Sequence, residues 1–99
     1  MQLIIKEISL GNVNTFAFDE DKQICLVNGN VKEINVASTM QSLLNVLCDA
    51  EQAMVNNRVI DGITYEITIL KDSQIRNYHF KNNFPKGFAH FTEILGGLR

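Results

Sequence analysis

The chain has 99 residues, with nine lysines and arginines against eleven aspartates and glutamates, which gives a formal net charge of −2 at pH 7. This length fits a single domain over residues 1–99, and an apolar share of 45% is sufficient to build one core. The slightly negative charge argues against a dedicated binder of nucleic acid or of anionic membranes, because such proteins usually present a basic face.

The first third of the chain predicts an antiparallel meander. Short apolar runs alternate with turn residues, and the pair Asn28-Gly29 is a hairpin signal because both residues tolerate positive φ. The acidic cluster Asp19-Glu20-Asp21 predicts the turn between the second and third strands. The four predicted strands are Leu3 to Leu10, Thr15 to Asp19, Gln23 to Val27 and Val31 to Val36.

At Ser38 the apolar period changes to three and four residues, which predicts a helix that runs to Val55. Ser38 and Gln41 have the spacing of a capping box, in which two side chains satisfy backbone amides at the helix start. Asn56 and Asn57 are expected to end the helix. Its apolar face would consist of Met40, Leu43, Leu44, Leu47, Cys48, Met54 and Val55.

Residues 63 to 70, which follow a predicted turn at Asp61-Gly62, alternate between apolar and polar side chains and predict a half-buried strand. Its expected partner is Gln74 to Phe80, joined to it by a two-residue loop at Asp72-Ser73.

The register of these two strands decides to which face of the sheet His79 points, since it lies between Tyr78 and Phe80 in the sequence. With the two-residue loop, Tyr78 lies across from Ile67, and His79 lies across from Glu66 on the opposite face. A three-residue loop would instead bury Asn77 and His79, at a cost of about 1 to 3 kcal/mol for each polar group without a partner. We therefore predict the first register.

The segment from Phe84 to Leu95 predicts a second helix, with Pro85 in its first turn and Gly96-Gly97 at its end. His90 points away from the apolar face of this helix, so both histidines are expected to be solvated and the neighbouring rings to be core. The apolar face is formed by Phe84, Phe88, Phe91 and Leu95.

These elements predict an α+β domain in the order β-β-β-β-α-β-β-α. Its antiparallel sheet of about five to six strands would be covered on one face by the two helices. The other face would offer a flat polar surface to a partner, formed by Thr64, Glu66, Thr68, Arg76 and His79.

The sequence contains no pattern that predicts a catalytic, metal or cofactor site. His79 and His90 have no third ligand at a fixed spacing, and the acidic turn lacks the later ligands of a calcium loop. Cys25 and Cys48 lie far apart in apolar patterns, so we expect buried, reduced thiols. The chain is therefore expected not to be an enzyme.

The N-terminal apolar run is too interrupted for a signal peptide. Lys6 and Glu7 fall where the apolar core of a signal would have to be, and no apolar run approaches ~18 residues. Together with reduced thiols, this predicts a cytoplasmic protein without membrane contact.

The run Lys86-Gly87-Phe88-Ala89 matches the first four positions of an RNA-recognition signature. The match breaks at His90, and in that family a helix and a strand follow the signature, whereas here only ten residues remain. Nucleic acid is therefore not the expected partner. RNA contact through Lys81, Lys86 and the outward histidines stays an alternative.

In size, acidity, strand-rich layout and lack of a catalytic pattern, the chain resembles the small bacterial immunity proteins of contact-dependent inhibition, which neutralise a toxin delivered by a neighbouring cell. The resemblance covers the whole chain in outline and carries over no individual residue. It implies a protein partner whose active site is blocked. Asp19, Glu20, Asp21 and Glu33 would then meet the basic cleft of a nuclease.

A structural homodimer is a further alternative. The apolar first strand, Leu3 to Leu10, is a candidate sheet edge that would pair with the same strand of a second copy.

Overall fold

Eight strands and two helices are present in the computed structural model, which describes residues 1–49, 54–56, 62–81 and 83–99. In chain order they are β1 (Gln2–Ser9), β2 (Asn12–Asp19), β3 (Ile24–Val27), β4 (Asn30–Val31), α1 (Val36–Asp49), β5 (Met54–Asn56), β6 (Ile63–Lys71), β7 (Gln74–Phe80), β8 (Asn83–Pro85) and α2 (Phe88–Leu98). The predicted α+β fold is confirmed: a six-stranded antiparallel sheet carries two helices. Both helices pack on one face, because their buried side chains join those of the sheet in one core.

The strand order in the main sheet is β4-β3-β2-β1-β6-β7, so β1 lies at its centre. The prediction that the first strand forms an open edge is therefore wrong. β1 pairs along its whole length with β2 on one side and with β6 on the other. Its inward residues Leu3 and Ile5 are fully buried, and a central position gives them apolar neighbours on both sides. The open edges are β4 and β7.

The predicted register between β6 and β7 is confirmed. Tyr78 lies opposite Ile67, and His79 lies opposite Glu66 on the other face. The loop consists of Asp72 and Ser73, with φ angles of 50° and 65°. Two consecutive left-handed residues give the turn the twist that an antiparallel hairpin needs.

The rings of residues 78 to 91 build the core beneath β6, as the sequence predicts. The ring centroids of Tyr65 and Phe88 lie 5.0 Å apart at 78°, an edge-to-face contact. Phe88 and Phe91 stack at 4.6 Å and 14°. His79 and His90 are exposed, also as predicted.

The first helix ends earlier than its apolar period predicts. α1 ends at Asp49, and Met54–Asn56 forms the strand β5, which pairs antiparallel with β8. The prediction was wrong because a few apolar residues at the end of a helical pattern fit a short strand equally well. Residues 50–53 and 57 and Asp61 of the predicted turn lie outside the described residues.

The first helix also begins earlier than predicted, at Val36. The N–H of Ser38 donates to Asn35 Oδ1 at 3.0 Å, so Asn35 caps the helix. The predicted capping box at Ser38 and Gln41 is therefore wrong. Because β4 ends at Val31, five residues before the expected strand end, the chain reaches the helix sooner.

The second helix is displaced towards the C-terminal side of its predicted range. Pro85 lies in β8, and the chain enters α2 through Gly87, whose φ of 82° is in the left-handed region. Gly96-Gly97 do not end the helix, which continues to Leu98. Leu98 is buried, and its contacts with the core stabilise a turn that the two glycines alone would disfavour.

Two predictions of side-chain position are wrong. Arg76 lies two residues before Tyr78 and opposite Ile69, so it is on the face that carries the helices. Cys48 is exposed, because it falls on the flank of α1, whereas Cys25 is buried as expected.

We expect Asn35→Ala to lower the free energy of unfolding by about 1 kcal/mol, the usual loss for an N-cap side chain. Ser38→Ala is the matched control and is expected to change stability little, since Ser38 contributes its backbone N–H to the cap. Urea denaturation of both variants measures the difference. A larger loss in Ser38→Ala would contradict the observed cap.

Candidate functional site

The sheet face opposite the helices, which we call the open face, carries a row of apolar side chains in direct cross-strand register. Ile4 of β1 lies opposite Ala17 of β2, which lies opposite Leu26 of β3. Leu26 in turn lies opposite Val31 of β4. We call these four residues the apolar row.

The apolar row follows from the composition of β1 to β4. Alternate residues of a strand point to opposite faces, and these strands are apolar at several positions on both. The side chain of Val31 is 69% exposed, and that of the adjacent Ile24 is 39% exposed. Ile4, Ala17 and Leu26 are half-buried. A contiguous apolar strip that keeps part of its surface in solvent is typical of contact sites on proteins.

The row continues across β6 and β7 with polar residues. Thr68 lies opposite Ile4, and Asn77 lies opposite Thr68, with Thr68 Oγ1 and Asn77 Oδ1 2.9 Å apart. Leu70 and Ile75 are apolar exceptions near the β6–β7 turn. We call the polar part of this region the polar half, which consists of Thr64, Glu66, Thr68, Asn77 and His79. The predicted polar surface is thus present without Arg76, and the sequence analysis missed the apolar row beside it.

A shallow groove of about 250 Å³ lies between the apolar row and the turn from β2 to β3. Ile4, Ala17 and Leu26 form part of its apolar wall, and Asp19 and Lys22 are at its polar end. The groove therefore places apolar surface next to charge.

Asp19 holds the acidic turn in place. Its Oδ1 accepts a hydrogen bond from the N–H of Lys22 at 3.1 Å, and its Oδ2 accepts one from Gln2 Nε2 at 3.3 Å. The bond from the Lys22 N–H is the main reason that the pKa of Asp19 lies below its ordinary value. Asp19 is therefore charged at neutral pH and is also part of the turn structure.

Glu20 and Asp21 complete the acidic turn. The backbone of Glu20 bonds to the carbonyl of Met1 and accepts from Gln23 Nε2, so its contribution to the turn comes from the main chain. Asp21 Oδ2 lies 3.5 Å from the α-amino group of Met1, and its side chain is 84% exposed. The carboxylate of Asp21 is thus accessible, in a second recess that Met1 and the β6–β7 turn also line.

Glu33 lies at the same end of the sheet. The N–H of Lys32 donates to the carbonyl of Cys25 at 2.9 Å, which continues the β3–β4 pairing by one residue. The next residue, Glu33, is exposed and lies towards the start of β3, where the acidic turn ends. The structure thus brings the four acidic residues expected to bind a partner to one end of the sheet. Their role in binding stays a prediction.

The two histidines lie in different layers of the domain. His79 is on the open face, opposite Glu66, whereas His90 is on α2 beside Lys86 in a shallow recess. Within residues 1–49, 54–56, 62–81 and 83–99, no three histidine, cysteine or acidic side chains are placed to hold a metal ion.

A buried carboxylate, Glu7, is a feature that the sequence analysis missed. Its Oε2 accepts hydrogen bonds from the Tyr65 hydroxyl at 2.7 Å and from Arg99 Nη2 at 2.8 Å. Its Oε1 accepts one from Asn14 Nδ2 at 3.2 Å. The signal was the alternation of β1, in which Glu7 continues the inward series of Leu3 and Ile5.

The cluster around Glu7 is structural. Each carboxylate oxygen has a donor, which is the condition for a buried charge to be tolerated. Burial, reinforced by the bond to Glu7, raises the pKa of the Tyr65 phenol well above its ordinary value. Tyr65 therefore stays protonated and donates to Glu7 over the whole ordinary pH range.

We expect Tyr65→Phe to lower the free energy of unfolding by about 1.5 to 3 kcal/mol at pH 7, the range for a hydrogen bond to a charged group. Above a pH of about 10 the unfolded chain loses the phenol proton and the folded chain keeps it, so the stabilisation by Tyr65 falls as pH rises. The gap between wild type and variant should shrink accordingly.

Urea denaturation between pH 7 and pH 11 measures this gap. Tyr78→Phe is the control, because the Tyr78 hydroxyl accepts a long hydrogen bond of 3.4 Å from Arg76 and does not donate to the Glu7 carboxylate. A gap for Tyr65→Phe that is no larger than that of the control would contradict the role of Glu7.

No helix in the described ranges is long and apolar enough to cross a membrane. No family model, curated protein or solved structure matches this chain. The open face and the charges at its end are therefore the features that bear on function.

Proposed function

We propose that this protein binds another protein through its open face and acts as an inhibitor of the immunity type, which covers the active site of a toxin. The observation that carries the proposal is the apolar row in direct register beside the acidic end of the sheet. Apolar contact would supply binding free energy, and the acidic residues would select a basic partner.

The apolar row has side chains that gain from being covered. Fully burying an exposed valine or isoleucine is worth about 1.5 to 3 kcal/mol. Val31 of the row and the adjacent Ile24 are already partly covered, with 69% and 39% of their surfaces exposed, so their gain is a fraction of this. A few such contacts at the centre of an interface are what a binding hot spot requires.

The charge at this end of the sheet favours a basic partner. Asp19, Glu20, Asp21 and Glu33 stand against Lys22, Lys32 and the α-amino group of Met1, which lies beside Asp21. Lys71 and Asp72 at the same end cancel, so four acids face three bases and the net charge is −1. A toxin that cleaves nucleic acid needs a basic cleft to hold phosphates. An acidic surface of this sign would accelerate association with such a cleft and would occupy it in place of the substrate.

The binding surface is carried by strands rather than by loops. Ile4, Ala17 and Leu26 belong to three paired strands of the sheet. Little conformational freedom is therefore lost when a partner covers them, which favours affinity. This arrangement supports a binding role.

Co-expression with the product of the adjacent reading frame tests the proposal. We expect an equimolar complex by size-exclusion chromatography and protection of cells against that product. Absence of both would remove the immunity function.

We expect Ala17→Arg to weaken this complex by at least about tenfold, because one buried, unmatched charge at an interface centre costs more than 1.4 kcal/mol. Thr92→Arg is the matched control: Thr92 is half-buried like Ala17 but lies on α2, on the other side of the sheet from the open face. It should leave affinity within about threefold. Equal losses in both variants would place the partner elsewhere.

A second variant tests the charge. Glu20→Lys should slow association by about three- to tenfold at low ionic strength, and the difference should diminish at about 0.5 M salt. Glu93→Lys is the control, since it makes the same charge change on the exposed side of α2. Association rates from stopped-flow fluorescence give the comparison. The same slowing in both variants would show an effect of net charge alone.

A further inference from the structure

The edge strand β7 has the features of a strand that pairs with another chain. It spans seven residues, Gln74–Phe80, in unbroken register with β6. Of the devices that usually protect an exposed edge it has one charge on the helix face, Arg76, and neither proline nor lysine nor a bulge. The other edge, β4, has only two residues and is protected by its shortness. No described element pairs with the outer side of β7.

The hairpin geometry determines which backbone groups of β7 face outward. Lys71 and Gln74 flank the two-residue loop, so they form the closing hydrogen-bonded pair. Every second residue of β7 from Gln74 onward therefore bonds to β6 through its backbone N–H and C=O groups, namely Gln74, Arg76, Tyr78 and Phe80. The N–H and C=O groups of Ile75, Asn77 and His79 therefore point away from β6.

We propose that β7 pairs antiparallel with β7 of a second copy of this chain, about a two-fold axis at Asn77. In an antiparallel pair, the residues that exchange hydrogen bonds lie directly opposite each other, and both must have outward-facing backbone groups. Because these groups alternate along β7, the two-fold axis must pass through a residue and not between two residues. Centring on Asn77 overlaps all seven residues. Asn77 then faces its own copy, and Ile75 faces His79 of the second copy, which gives three hydrogen-bonded pairs and about six backbone hydrogen bonds.

The side chains are compatible with this register. On the helix side, Arg76 lies across from Tyr78 of the second copy, a pairing of a guanidinium with an aromatic ring that is favourable in both copies. In this register Ser73 lies across from Lys81 of the second copy. The exposed Asp72, which precedes Ser73, is therefore a diagonal neighbour of that Lys81. Charges of opposite sign thus meet at both ends of the strand pair.

The interface is distinct from the partner surface proposed above. It lies at the opposite edge of the sheet from β4 and leaves the apolar row uncovered. Two six-stranded sheets would join into one continuous sheet. A failure to bind a toxin and a failure to self-associate are therefore separate results.

Sedimentation over a concentration series tests the pairing. One strand pair buries less than the roughly 1,600 Å² of a standard interface, so a range from about 5 µM to about 1 mM is appropriate. The average mass should rise from 11.2 kDa towards twice that value. A mass that stays monomeric over the whole range overturns the proposal.

Asn77→Pro tests the register directly. Proline removes the outward N–H at the two-fold axis and leaves the bonds from β7 to β6 in place, which edge strands tolerate. Asn77→Val is the matched control, since it also loses the contact with Thr68 but keeps the N–H. We expect Asn77→Pro to stay monomeric and Asn77→Val to associate. Association of a folded Asn77→Pro variant, verified by circular dichroism, overturns the proposal.

Amide hydrogen exchange of the wild-type protein does not depend on any variant folding. The N–H groups of Ile75, Asn77 and His79 should exchange at least about threefold more slowly at the highest concentration, when most chains are paired. Those of Arg76 and Tyr78, which bond to β6, are the internal reference. Exchange at the three outward positions that does not change with concentration overturns the proposal.

Discussion

The central position of β1 is the constraint on which the rest of the structure depends. β1 pairs along its full length with β2, which comes before α1 in the chain, and with β6, which follows α1. Its inward residues Leu3 and Ile5 anchor the core under both helices. Its outward residue Ile4 lies in the apolar row. Two of its four outward residues, Ile4 and Ile8, are apolar although both helices pack on the other face, and these are the positions that the proposed partner would cover.

The polar cluster around Glu7 links this strand to the end of the second helix. Tyr65 connects it to the aromatic core, since the same ring that donates to Glu7 meets Phe88 edge to face. Arg99, directly after α2, donates to the same oxygen of the carboxylate as Tyr65, Oε2. A buried charge of this kind is held only if all of its donors stay in place, so the cluster specifies how α2 is seated on the sheet.

Structure that is decided by neighbouring residues could be predicted from the sequence. The β6–β7 register follows from local alternation and a two-residue turn, and only one register buries the rings of Tyr78 and Phe80. Pairing between segments that are distant in the sequence could not be predicted. Nothing in the first strand shows that β6 will pair with it, and nothing near Met54 shows that β8 will pair there. The apolar row was missed for the same reason, because it exists only once four strands are in register.

The open face and the β7 edge can act together without competing. With β7 at the centre of a continuous sheet, the polar halves of two copies would adjoin and the apolar rows would lie outside them. Five strand spacings would separate the two β1 strands, about 24 Å at 4.8 Å each. A small partner bound to one apolar row would then not contact a partner bound to the other row. The complex would contain equal numbers of both proteins whether or not the two sheets join. Self-pairing would thus present two equivalent sites on one face, and a partner with two matching surfaces would bind more tightly than one row allows.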